Sequence, residues 1–154
     1  SKEWQDRELL RSIHYGEISP FESIDKYVKS FIYRTTSSGL VLKGYINSWK
    51  VYGVCSSYLQ GVAIKVRYQI GGSNRYCGNI GRQHKSNQII VECDLHPQRH
   101  HMIQSCWDPE CKGYRSPPFN IPIDIYNKEY ENILLYQEKF IDRCAIMMLE
   151  EQGL

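Results

Sequence analysis

Three cysteines and a histidine stand closest to chemistry in this 154-residue chain. Cys106 and Cys111 are separated by four residues, Trp-Asp-Pro-Glu, a loop length that can set two thiolates on one metal ion. Upstream, Cys77 is followed seven residues later by His84. Tetrahedral zinc takes four N or S donors at about 2.0–2.3 Å, so Cys77, His84, Cys106 and Cys111 form a candidate Cys3His site. Four protein ligands leave no open position for a catalytic water, and the zinc read here is structural. The chain has six cysteines, an even number that would also suit a disulfide framework. No secretory leader accompanies them, and the length suffices for a core without staples, which favours metal. Cys55, Cys93 and Cys144 read as small buried apolar residues.

A hairpin must bring the two halves of the site together. The aliphatic run 86–95 and the run 100–106 read as strands, with His96-Pro-Gln-Arg99 as their turn. A turn centred near 97 and 98 places His84 opposite Cys111. A tighter register places it opposite Cys106. His96, His100 and His101 sit at the turn end, away from the thiol pair, and are expected to face solvent.

Charge adds a second signal. The net charge is only +2, yet the 66 residues from 26 to 91 hold no Asp or Glu. They carry ten cations, interleaved with Tyr33, Tyr45, Trp49, Tyr52, Tyr58, Tyr68 and Tyr76. That pattern suits a polyanion with stackable bases. The segment 124–154 reverses sign, with seven acids against three bases.

The elements around the site read as a helix over 3–13, a helix from about Pro20 with Phe21, Ile24, Val28 and Ile32 on one face, and strands near 48–55, 62–70 and 74–77. A last helix over about 128–150 has Tyr130, Ile133, Leu134, Phe140, Ile141, Cys144, Met147 and Met148 as its apolar side. The expected fold is α+β: a small antiparallel sheet with a Cys3His zinc-bound hairpin, flanked by N- and C-terminal helices. The organisation expected is an N-terminal helical segment at 1–18, a zinc-binding unit at 19–123 and an acidic amphipathic helix at 124–154. No apolar run is long enough for a membrane-spanning helix. The chain begins with Ser rather than Met, which suits a piece of a longer protein.

The run Cys77-Gly-Asn-Ile-Gly-Arg-Gln-His84-Lys-Ser-Asn87, a strand ending in Asp94-Leu95, and then Cys106-Trp-Asp-Pro-Glu-Cys111-Lys112 resembles the zinc-binding C-terminal domain of eukaryotic primase-polymerases. The herpesvirus primase subunit carries a similar domain. The match is almost residue by residue over 75–112 and looser over 22–74. The resemblance implies that the zinc ligands carry over to Cys77, His84, Cys106 and Cys111. It further implies a non-catalytic module that holds the 5′ nucleotide and triphosphate of a nascent primer, supporting primer initiation in replication and damage tolerance. Arg75, Arg82, Lys85, Ser86, Asn87 and Lys112 flank the ligands and are the candidate nucleotide and nucleic-acid contacts. Asn79 is either a further contact or a cap of the metal loop.

Implied partners are a single-stranded DNA template, the primer 5′ triphosphate and a catalytic primase domain. The acidic C-terminal helix could add a single-strand-binding protein, although its pattern reads first as packed on its own domain. An intracellular site, nucleus or mitochondrion, follows from the same resemblance. Mg or Mn would belong to a catalytic domain outside the chain. Asp6-x-Glu8 and Ser12-x-His14 match the family's catalytic strings but crowd one short segment, and are read as coincidence. A protein–protein adaptor scaffolded by a zinc knuckle is the alternative reading.

Overall fold

The computed structural model of the chain describes residues 7–8, 14–35, 37–56, 61–77, 79, 81–83, 88–106 and 108–153. The order is β1 (Arg7–Glu8), β2 (His14–Tyr15), α1 (Glu22–Ile32), β3 (Tyr33–Thr35), β4 (Val41–Ser56), β5 (Gly61–Gly72), β6 (Tyr76–Cys77), β7 (Arg82–Gln83), β8 (Ile89–His96), β9 (Arg99–Cys106), β10 (Phe119–Asn120), α2 (Ile123–Lys128) and α3 (Tyr130–Glu151). The main sheet is antiparallel in the order β1-β4-β5-β8-β9-β10, with β2 and β3 also pairing along β4. β6 and β7 form a separate two-stranded hairpin.

Helices cover one face of this sheet. Ile24, Val28 and Ile32 recur at helical spacing along α1 and are buried, as is Phe21 just before it. They meet Val66, Tyr68 and Ile70 of β5 and Val91, Cys93 and Leu95 of β8 in one apolar cluster. Ile133 and Phe140 of α3 join it. Phe140 lies so close to Gly53 that a Cβ there would sit 2.7 Å from its ring. Asp25 is buried in the same layer, where it accepts hydrogen bonds from the Ser19 amide and the Tyr68 hydroxyl, both at 2.7 Å. Burial raises its pKa from the ordinary carboxylate value, against the pull of those donors.

β4 contains a register shift between Ile46 and Ser48. Before it the even positions Leu42 and Ile46 are buried; after it Val51 and Gly53 face the helices. One extra residue exchanges the faces of a strand, so no single alternation runs through 41–56. The strand expected near 48–55 is therefore the second part of a longer one that begins at Val41.

Several expectations change. Within the segment expected to be a helical flank at 1–18, Arg7–Glu8 and His14–Tyr15 pair as strands on β4, and residues 16–18 follow without helix. Residues 1–6 and 9–13, including Asp6, Ser12 and most of the expected helix, lie outside the described residues. The last helix stands where expected, as α3, but a short α2 precedes it and the two part at Glu129, so the segment 124–154 is not one helix. The Glu129 carboxylate accepts the Ser23 amide at 2.8 Å and so satisfies a first-turn donor of α1. On α3 Ile133 and Phe140 are buried as expected, while Tyr130, Leu134 and Ile141 are exposed. The side chains of Cys144, Met147 and Met148 are outside the described set. His100 does not face solvent: its ring stacks on Tyr126 with centroids 4.4 Å apart. Cys93 is fully buried, as expected. Among the described residues no helix is long and apolar enough to cross a membrane.

Candidate metal centre

The β8–β9 hairpin turns through Pro97 and Gln98, with His96 opposite Arg99 and Ile89 opposite Cys106. Cys106 thus ends β9 at the hairpin's open end. Asp108 then shapes the return. Its side chain accepts the Glu110 amide at 3.0 Å, and its carbonyl accepts the Cys111 amide at 2.9 Å. With Pro109 next, this gives a single 3-10 turn that buries Cys111. Cys77 arrives from the other side on β6. Asn74 prepares its approach: its side-chain amide donates to the Ile32 carbonyl at the end of α1, and its side-chain oxygen accepts the Tyr76 amide. Gly81 closes the β6–β7 turn with φ +67°, a conformation that favours glycine, and its amide donates to the Cys77 carbonyl.

The three sulfurs meet. Their Sγ atoms lie within 4.8 Å of one another. Cys77 Sγ is 3.1 Å from Cys106 Sγ and 3.6 Å from Cys111 Sγ. Both separations far exceed a disulfide bond, and none of the three cysteines is in a disulfide. A tetrahedral ion with arms of about 2.3 Å needs S···S edges of about 3.8 Å. The Asn79 amide donates to Cys111 Sγ at 3.3 Å, so Asn79 acts at the sulfur itself. Burial comes first in raising the Cys106 and Cys111 pKa values; at Cys106 the Cys77 and Cys111 sulfurs add to it, whereas at Cys111 the Asn79 donor and Cys106 oppose it and Cys77 adds to it. Tyr114 is raised by burial and by the same three sulfurs. A cation at the centre of the cluster would relieve that repulsion, and soft thiolate donors suit zinc-class metals.

Gln104 links the three chain segments. Its side-chain amide donates to the Tyr76 carbonyl at 2.8 Å, one residue before Cys77. Its backbone exchanges hydrogen bonds with Ser116: the Gln104 amide donates to Ser116 Oγ at 2.8 Å, and the Ser116 amide donates to the Gln104 carbonyl at 2.9 Å. Cys106 lies two residues further along the same strand. No motif marks Gln104. Its signal in the sequence is slight: it directly follows Met102 and Ile103, with which it makes the buried stretch of β9.

Of the other expected site residues, Arg75 is half-buried beside β6 and Lys112 is exposed next to Cys111. Arg82 pairs with Cys77 through the backbone of β7. His84, Lys85, Ser86 and Asn87 lie outside the described residues.

Comparison with known proteins agrees with this arrangement. A family model described as Herpesviridae UL52/UL70 DNA primase matches residues 49–124, which include all three thiols. The chain is 33% identical to a DNA-directed primase/polymerase protein of Danio rerio over 109 residues, covering 70% of this chain and 18% of the relative. It is 35% identical to the Gallus gallus protein of that name over 106 residues, 68% of the chain and 16% of the relative. Identity to the Homo sapiens protein is 29% over 126 residues, 75% of the chain and 18% of the relative. The chain thus spans less than a fifth of the length of these relatives. No solved structure matches it at a significant level. The chain belongs to the primase family that contains the herpesvirus UL52/UL70 DNA primases and the DNA-directed primase/polymerase proteins.

Proposed function

We propose that the chain is a non-catalytic zinc module of a DNA primase-polymerase, with Cys77, His84, Cys106 and Cys111 as ligands. The observation that carries this is the convergence of three cysteine sulfurs within 4.8 Å in a segment that matches primases. His84 follows directly on β7, whose pairing returns the chain beside Cys77. The zinc would supply structure, tying the β6–β7 hairpin to the open end of β8–β9. Residues 19–123 would form the zinc-binding unit, flanked by 1–18 and 124–154.

The module would hold the 5′ nucleotide of a nascent primer near a single-stranded template, while a separate catalytic domain carries Mg or Mn. Arg75, Arg82, Lys85 and Lys112 are tied by sequence to the ligands, so the metal fixes where they start. Ser86 and Asn87 would add neutral donors to phosphate oxygens. The family's role in DNA replication favours the nucleus or mitochondrion. Binding of a 5′-triphosphorylated oligonucleotide against its 5′-hydroxyl counterpart tests this. Arg75→Ala, Arg82→Ala and Lys112→Ala should each lower the preference for the triphosphate, with metal content unchanged. Equal affinity for both ends in the wild type, or an unaltered preference in all three variants, would contradict it.

A protein–protein adaptor draws support from α3, where Leu135, Ile141, Ile146 and Leu149 are exposed on an acidic helix. Such a module would show no preference for the triphosphate end. On the primase reading, a single-strand-binding protein is the partner that this helix would take.

A further inference from the structure

The sheet face turned away from the helices carries a different chemistry. Register sets Lys50, Arg67 and Glu92 in one row across β4, β5 and β8. Tyr52, Lys65, Asp94 and His101 form the next row. Arg115 reaches this face from the segment after β9 and approaches Glu92 at 3.3 Å. The Glu92 side chain, only 6% exposed, also meets Arg67 at 3.0 Å and Lys65 at 3.9 Å, and accepts the Tyr52 hydroxyl at 2.7 Å. One carboxylate therefore aims three cations. Asp94, equally buried, meets Arg99 at 3.5 Å. Lys50 and Arg67 lie over the Tyr52 ring, 5.0 and 5.3 Å from its centroid.

The two carboxylates are buried, whereas the side chains of Arg67, Arg99 and Arg115 are 34%, 55% and 57% exposed. Solvent therefore meets positive charge. Neighbouring groups feel it. His101 is shifted down chiefly by burial; Asp94 opposes this, and Arg99, Lys65 and Arg115 add to it. Glu92 stays below its ordinary value although burial opposes this, because Tyr52, Arg67 and Lys65 hold it there.

A cluster of this kind fits phosphate oxygens. Guanidinium forks match them, and side chains already fixed by Glu92 lose little further freedom on binding. Rows of cations on strands about 4.8 Å apart suit a chain of phosphates better than one small anion. We propose that this sheet face, with Lys65, Arg67, Arg99 and Arg115 aimed by Glu92 and Asp94 and Lys50 set over Tyr52, is a track for the backbone of single-stranded nucleic acid. The track rests on the nucleic-acid reading above but is separate from the metal centre. Cys106 lies three residues beyond Ile103, the partner of Glu92, which is roughly 10 Å along the strand. It also packs against the core on the helix-covered side.

The test is fluorescence anisotropy with a labelled 20-mer of oligo(dT) bearing a 5′ hydroxyl, which removes any contribution from a triphosphate end. Affinity is read at 25, 50 and 100 mM salt for the wild type, for Lys50→Gln/Arg115→Gln and for Arg75→Gln/Lys112→Gln. Melting curves and metal content confirm that each variant is folded. Lys50→Gln/Arg115→Gln should bind about tenfold more weakly at low salt. Its log–log salt dependence should be shallower by about 1.4, two phosphate contacts at about 0.7 each on a single strand. Arg75→Gln/Lys112→Gln should change this binding less. The reverse ranking would overturn the track and leave the triphosphate reading standing. No binding by the wild type would also overturn the track, and the triphosphate preference would then decide the other reading separately. Loss of binding to an acidic peptide, with oligo(dT) affinity unchanged, would reassign the face to a protein partner and overturn the proposal.

Discussion

The two ends of the β8–β9 hairpin are stabilised in different ways. Toward the turn, Cys93, Leu95 and Met102 are buried under the helices in a continuous apolar layer. At the open end, Ile89 and Cys106 give way to three thiols, a side-chain amide on one sulfur and a web of hydrogen bonds through Gln104. Apolar burial needs no cofactor, whereas three crowded thiols favour a cation at their centre. The turn end can hold its fold without metal. On the proposed reading, the open end would owe its geometry to a metal held by the sulfurs.

Substitutions can separate the two ends. Phe140→Ala should have the larger effect on global stability, about 3–5 kcal/mol, because it empties a fully packed aromatic site against Gly53. Thermal or denaturant unfolding would measure this, and metal stoichiometry at temperatures where the variant is folded should stay as in the wild type. A parallel fall in metal content would show that the two ends are one cooperative unit and break the comparison.

Gln104→Leu should act in the opposite sense. It leaves the Tyr76 carbonyl without its side-chain donor, a cost of about 1–3 kcal/mol. Because the bond positions Cys77, metal affinity in chelator competition should fall roughly 10–100-fold, the range seen when groups that orient metal ligands are lost. A change in melting temperature with unaltered metal affinity would place Gln104 with the apolar end.

Much of this contrast was legible in the sequence. The turn at Pro97-Gln98 and the strands on either side followed from aliphatic runs around a Pro-containing break, and the register agrees. Cys77, Cys106 and Cys111 could be grouped because thiol spacing is a local property that survives folding. What escaped had non-local causes. The N-terminal segment has helical spacing, yet Arg7–Glu8 and His14–Tyr15 pair with the long β4, whose hydrogen-bonding edge outweighs local propensity. The register shift at Ile46/Ser48 exchanges the faces of β4, so its first half shows no consistent alternation with its second. The roles of Gln104 and Glu92 depend on partners brought from β6 and from β4, β5 and the segment after β9, and no spacing rule encodes such a meeting. For Glu92 a trace was present: it is the first acid after the acid-free run, on the opposite side of a strand from Val91 and Cys93.

The open end of the hairpin is proposed to be built around a metal. Elemental analysis of tag-free, reduced protein tests it most directly, with Cys106→Ala prepared alongside. The expected result is about one zinc per chain in the wild type and none retained by Cys106→Ala. A folded, reduced wild-type protein without metal, or a Cys106→Ala variant that keeps a full equivalent, would contradict it.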